Sequence, residues 1–169
     1  MNNKTNFLVR TAIVAAIYVV VTFAFYFLSY EAIQFRVSEV MVLLALIDPL
    51  YIPGLVIGCF MANLLGPFGL IDAVFGSLAS LVSLLMIVQT KRWLGNGLRT
   101  LVISSLWPAI FSFIIAFEIT VVFGAPESFL FWMVMVAVGE FVVITLAGVP
   151  IFNWILKNEP LVKMLKFRR

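Results

Sequence analysis

Four apolar runs dominate this chain, at residues 7–28, 71–89, 100–123 and 129–156, each nearly free of charge. A helix needs about 20 predominantly apolar residues to cross a bilayer, where every backbone amide and carbonyl must be bonded within the segment. Runs of this length predict transmembrane helices, so the fold class is all-α integral membrane. Composition leads to the same place: 64% hydrophobic and 11% charged residues cannot coat a water-soluble globule of 169 residues.

The first run follows Lys4 and Arg10 and extends to Leu28 without a small-residue cleavage site, so it reads as a retained helix rather than a signal peptide. Residues 37–47 and 52–65 form two shorter apolar runs separated by DPLYIP, where Pro49 and Pro53 interrupt helical continuity. They are either two short crossings or one re-entrant hairpin. Six helices are preferred, because a re-entrant backbone needs protein or water around it at membrane depth. With no repeat and no extramembrane segment long enough to fold alone, residues 1–169 form a single domain.

Both arrangements place Lys4, Arg10, Lys91, Arg92, Arg99, Lys157, Lys163, Lys166, Arg168 and Arg169 on one face, leaving Arg36 opposite. Cytoplasmic loops collect Lys and Arg, so both termini are expected in the cytoplasm of a cell-membrane, multi-pass protein. The outward loops are then SYEAIQFR, GPFGL and GAPES.

Histidine is absent and Cys59 is the sole cysteine, which removes disulfide frameworks and His-based metal or acid–base sites. No phosphate loop, HExxH or nucleophile–base pair is present. The reading is a non-enzyme without metal or cofactor, and the net charge of +3 serves topology rather than nucleic-acid binding.

Against this background a few polar residues stand out. Gln34, Arg36, Ser38 and Glu39 crowd the outer mouth between the first two helices. A helix-start ion pair between Arg36 and Glu39, with Ser38 as cap, is the simpler account; closure over a ligand is the other. Glu118 lies near the outer end of the fifth helix, and Glu140 is about 16 Å into the sixth at about 1.5 Å per residue. Carboxylates in hydrocarbon are costly unless protonated, paired or facing a wet cavity, so each is a functional candidate. Trp132, Val136 and Glu140 share one helix stripe, which makes Trp132 either a stacking surface or an interfacial belt residue. Asp72 and Asn63 fall at the same outer level, where Asp72 also suits a helix cap. Acids and an aromatic without a nucleophile describe a binding pocket for a small, flat, hydrogen-bond-donating molecule.

The strings IQFRVSEVMVLL, PGLVIGCFMANLLG, IDAVFGSLASL and MVMVAVGEFVV, in that order, resemble the queuosine-precursor transporter family, the substrate-binding S-components of energy-coupling factor (ECF) transporters. The resemblance implies a six-helix S-component bundle in a bacterial plasma membrane, with an outer site for a 7-deazaguanine base. Its partners would be a transmembrane coupling subunit, met through an AxxxA element matched by Ala12 and Ala16, and two ABC ATPases. In that reading Glu140 accepts the paired N–H donors of a guanine-type edge and Trp132 stacks on the base. Asn63, Asp72, Gln34 or Arg36 meets the remaining edge, and Asp72, Glu118 or Glu39 neutralises any cationic substituent. Alternatives are an S-component for riboflavin, thiamine or biotin, or a self-sufficient proton-coupled carrier.

Overall fold

The structure is a computed structural model describing residues 3–31 and 33–167, and it is helical throughout its ordered elements. Arg168 and Arg169, assigned to the basic face by the charge map, lie outside the described residues. Six apolar helices follow in order: α1 (Asn3–Ala24), α2 (Val37–Leu46), α3 (Pro49–Leu64), α4 (Gly69–Leu94), α5 (Leu98–Val122) and α6 (Phe129–Lys157). A short α7 (Glu159–Leu165) ends the chain. Of these, α1, α4, α5 and α6 are long and apolar enough to cross a membrane, while α2 and α3 are shorter.

The shortest of the six is also the most central, since α2 contacts α1, α3, α4, α5 and α6. It is built as a 3-10 helix across all ten residues. At about 2.0 Å of rise per residue, against about 1.5 Å in an α-helix, this winding carries a ten-residue run about 5 Å farther. Three residues per turn also align Glu39, Val42 and Ala45 on one buried stripe. An apolar sequence with neighbours on every side has no need of amphipathic patterning, which is why α2 reads as uniformly greasy.

Glycine sets the closest contacts. In α3, a Cβ at Gly54 would sit 2.9 Å from the Thr11 carbonyl oxygen, and one at Gly58 would sit 2.7 Å from Tyr18 Cβ. The α1–α3 crossing therefore needs bare backbone on one side. Of the small residues in α1, Ala15 faces this contact, whereas Ala12 and Ala16 are exposed. Polar side chains fasten the remaining helices: Trp107 Nε1 donates to Thr90 Oγ1 at 2.8 Å between α5 and α4, and Ser105 Oγ meets Thr145 Oγ1 at 3.1 Å between α5 and α6.

The two longest C-terminal helices are irregular. A break at Leu106 precedes Pro108 in α5, and a π-helical stretch, Phe141–Gly148, precedes Pro150 in α6. Proline has no N–H to give the carbonyl one turn back, and the helix adjusts its winding there. A second π-helical stretch, Glu118–Val122, closes α5.

The segment that ends α7 and follows it, through Phe167, is docked against the bundle. Arg10 Nη1 donates to the carbonyls of Leu165 at 3.2 Å and Lys166 at 3.0 Å, and the Tyr51 hydroxyl donates to Leu165 at 2.6 Å. The Phe167 amide donates to Asp48 Oδ2 at 3.2 Å, and Arg10 lies 5.2 Å from the Phe167 ring centroid. These contacts gather α1, the start of α3 and the end of α7 at one pole of the bundle.

Candidate functional site

At the other pole a cavity of about 220 Å3 lies among Tyr30, Gln34, Phe68, Asp72, Glu118 and Trp132. Four residues singled out from sequence, Gln34, Asp72, Glu118 and Trp132, thus meet in one wall, though they come from the first loop, α4, α5 and α6. Glu31 adds a further carboxylate, and Ile115, Ile119, Phe123 and Ala125 complete the lining.

Arg36, Glu39, Asn63 and Glu140 form a second layer that does not line this cavity. Arg36 is 6% exposed and Glu39 4%, so the surface ion pair is not what the fold builds. Ser38 does not cap α2 either, since its hydroxyl is 2.7 Å from Thr22 Oγ1. The Arg36 guanidinium lies 5.6 Å from the Tyr30 ring centroid, beneath the cavity wall, and its Nη1 is 4.0 Å from Cys59 Sγ. Tyr30 lies outside the long spans, and burial raises its phenol above the ordinary value against the lowering influence of Arg36. Glu39 accepts from the Tyr18 hydroxyl, and Ser80 Oγ lies 3.5 Å from the same oxygen.

Asn63 is fully buried, donating through Nδ2 to the Asp72 carbonyl at 3.1 Å, and its amide rests against the backbone of Gly76. Asp72 is not the cap of α4, which begins at Gly69; its side chain turns inward and is 4% exposed. Glu118 and Glu140 share a backbone setting. Glu118 opens the π-helical stretch of α5, and Glu140 is the last α-helical residue before that of α6. Such widened turns redirect side chains and occur frequently at functional sites.

What unites the two layers is unmet hydrogen bonding. Arg36 Nε, Asn63 Oδ1, Asp72 Oδ2, both carboxylate oxygens of Glu118, Trp132 Nε1 and Glu140 Oε2 are all shielded from solvent without a partner. Buried polar atoms are almost always satisfied, and leaving one unmet costs about 1–3 kcal/mol. Of these six residues Asp72, Glu118 and Trp132 line the cavity and Arg36, Asn63 and Glu140 lie in the second layer, while Thr11 Oγ1 and Ser104 Oγ share the same state elsewhere. The two layers together offer a ligand both donors and acceptors. Electrostatics sharpen the description, because the carboxyl groups of Glu39, Asp72, Glu118 and Glu140 all lie within the field of Arg36. Four acids around one guanidinium favour hydrogen-bond donors in the ligand.

Tyr18, Tyr30, Cys59 and Ser80 belong to this constellation and were not predicted. Tyr18 was legible: with Val14 and Thr22 it forms the buried i, i+4, i+8 stripe of α1, and a phenol there needs a partner. For Tyr30 no comparable signal exists, since its place depends on how the first loop folds back to donate to the Ala62 carbonyl at 2.7 Å.

The known proteins that the chain is similar to are transporters. The family model described as QueT transporter matches residues 8–157. The chain is 35% identical over 148 residues to the queuosine precursor transporter QueT of Lactococcus lactis subsp. cremoris (strain MG1363), covering 82% of this chain and 86% of that relative. No solved structure matches it.

Proposed function

The chain belongs to the QueT transporter family, and on that premise we propose that it is the substrate-binding subunit of an ECF importer, capturing a 7-deazaguanine queuosine precursor from outside the cell. One observation carries the reading: Asp72, Glu118 and Trp132, each with a buried polar atom that lacks a hydrogen-bond partner, line one cavity of about 220 Å3. That volume falls below the roughly 300–1,000 Å3 of sites for drug-sized ligands, and suits one flat base.

A guanine-type edge presents adjacent N–H donors that a single carboxylate can accept together, a charge-assisted arrangement about twice as strong as a neutral one. Glu118, in the cavity wall, makes the first such contact, and Glu140 receives the donor edge as the base descends toward the Arg36 layer. Trp132 offers its ring for stacking. Gln34 and Asp72 meet the remaining edge, Asn63 holds Asp72 in place, and Arg36 with Glu39 sets the charge of the floor.

The wider assembly follows from the same reading. Six crossings, including the short α2 and α3, would put both termini and the basic pole in the cytoplasm. The exposed Ala12 and Ala16 would give a smooth strip on α1 for a transmembrane coupling subunit, itself driven by two ABC ATPases.

The test is direct binding of 7-deazaguanine precursors to the purified chain without partner subunits or ATP, alongside guanine, riboflavin, thiamine and biotin. Saturable binding of deazaguanines alone is the expected result. Binding of a different vitamin would replace the ligand and keep the architecture, whereas transport by the lone chain under a pH gradient would overturn the importer assignment.

A further inference from the structure

The basic pole holds a second cavity, of about 630 Å3, between the ends of α2, α4, α5, α6 and α7. Lys91, Lys157 and Lys166 line it with Asn96 and Asn153; Glu159 is the acid in the lining, and Asp48 lies close enough to attract Lys91. Lys91 lies in α4, Lys157 ends α6 and Lys166 directly follows α7, and Lys91 and Lys166 lie close enough to repel one another. Lys91 also donates to the Leu46 carbonyl, which fixes its ammonium group and leaves two of its three donors for other partners. Three lysines against the carboxylates of Glu159 and Asp48 give the cleft an excess of positive charge.

The cleft is held in shape by the fold. Its floor includes α7, which Arg10, Tyr51 and Asp48 fasten through the backbone of Leu165, Lys166 and Phe167. Trp93 and Trp154 neighbour the lining residues Lys91 and Asn153 along α4 and α6, and are 64% and 65% exposed. Tryptophan concentrates where hydrocarbon meets the headgroup layer. Leu98, in the lining itself, is 56% exposed and continues the cleft into an apolar flank. A cationic pocket at headgroup depth that opens onto an apolar surface matches a molecule with a phosphate and a hydrocarbon tail.

We propose that this cleft binds the phosphate of an anionic membrane lipid, with Lys91, Lys157 and Lys166 supplying the charge and Asn96 and Asn153 the neutral donors. The lipid lies at the pole opposite the acid-lined cavity, so this assignment stands or falls independently of the proposed substrate.

The test compares the purified chain with phosphatidylglycerol, phosphatidylcholine and inorganic phosphate, read by native mass spectrometry of retained lipid and by the thermal unfolding midpoint. Phosphatidylglycerol is expected to be retained about tenfold or more over phosphatidylcholine, and to raise the midpoint. The K157Q/K166Q double variant, altered at two exposed side chains, is expected to lose that preference while keeping its fold and its ligand affinity at the other pole. Equal retention of the two lipids, or an undiminished preference in the double variant, would overturn the proposal. Full stabilisation by inorganic phosphate alone would also overturn it, reducing the cleft to a site for a free anion.

Discussion

The Tyr18 hydroxyl donates its hydrogen bond to Glu39 Oε1, joining the buried stripe of α1 to the central 3-10 helix. Tyr18 is 1% exposed and Glu39 4%, so neither group has water to fall back on. The bond places a phenol from the helix proposed to meet the coupling subunit directly against the charged floor of the candidate ligand site.

Replacing Tyr18 with Phe removes one donor from a buried carboxylate while preserving the ring. The expected destabilisation is about 1–3 kcal/mol, the usual result of leaving a buried acceptor short of a partner. Thermal unfolding in detergent measures it, and an unchanged midpoint would mean that Glu39 draws its stability from elsewhere.

Glu118→Gln and Glu140→Gln each preserve side-chain size but convert one acceptor into a donor that opposes the ligand's N–H groups. Each is expected to weaken deazaguanine binding by about 2 kcal/mol or more, roughly thirtyfold. Calorimetry on the two purified variants separates their roles. If only Glu118→Gln loses affinity, the ligand stays in the outer layer; if neither does, carboxylate recognition is abandoned.

Gly139 lets α6 approach the backbone of Gln34, since a Cβ there would lie 2.6 Å from the Gln34 carbonyl oxygen. Gly139→Ala must therefore displace the segment carrying Gln34 and Arg36, at an expected loss of about 1–3 kcal/mol in stability with weaker ligand binding. Gly148→Ala is the control, because its nearest neighbour is the movable Leu43 Cδ1 at 3.3 Å. Comparable losses in both variants would show that general packing, rather than the placement of Gln34, is responsible.

Ala12→Leu and Ala16→Leu change an exposed strip of α1, whereas Gly58→Leu intrudes on Tyr18 across the α1–α3 contact. The alanine variants are expected to bind ligand normally and fail to co-purify with the coupling subunit and ATPases, through steric blocking of close helix approach. The glycine variant is expected to unfold. Normal assembly of both alanine variants would remove this strip from the interface.

Sequence alone determined the solvent and the class of fold, because four long apolar runs have one stable backbone solution in a bilayer. It also singled out Gln34, Asp72 and Glu118 as polar groups in apolar surroundings and Trp132 by its place on the Glu140 stripe, and these four candidates line one cavity. Those signals are local and compositional, so they survive without knowledge of the fold.

Which residues share a layer was decided only in three dimensions. Arg36 and Glu39 look like a surface pair from their spacing of three, but α2 lies at the centre of the bundle and buries both. Glu140 shares a helical stripe with Trp132, yet the cavity takes Trp132 with Glu118 and leaves Glu140 below. Docking of the C-terminal tail likewise depends on Arg10, Tyr51 and Asp48 converging from distant parts of the chain. Periodicity tells which side of a helix differs from the other, whereas the depth and rotation of each helix are set by its neighbours, through the glycines that let backbones touch and the buried polar groups that must find partners.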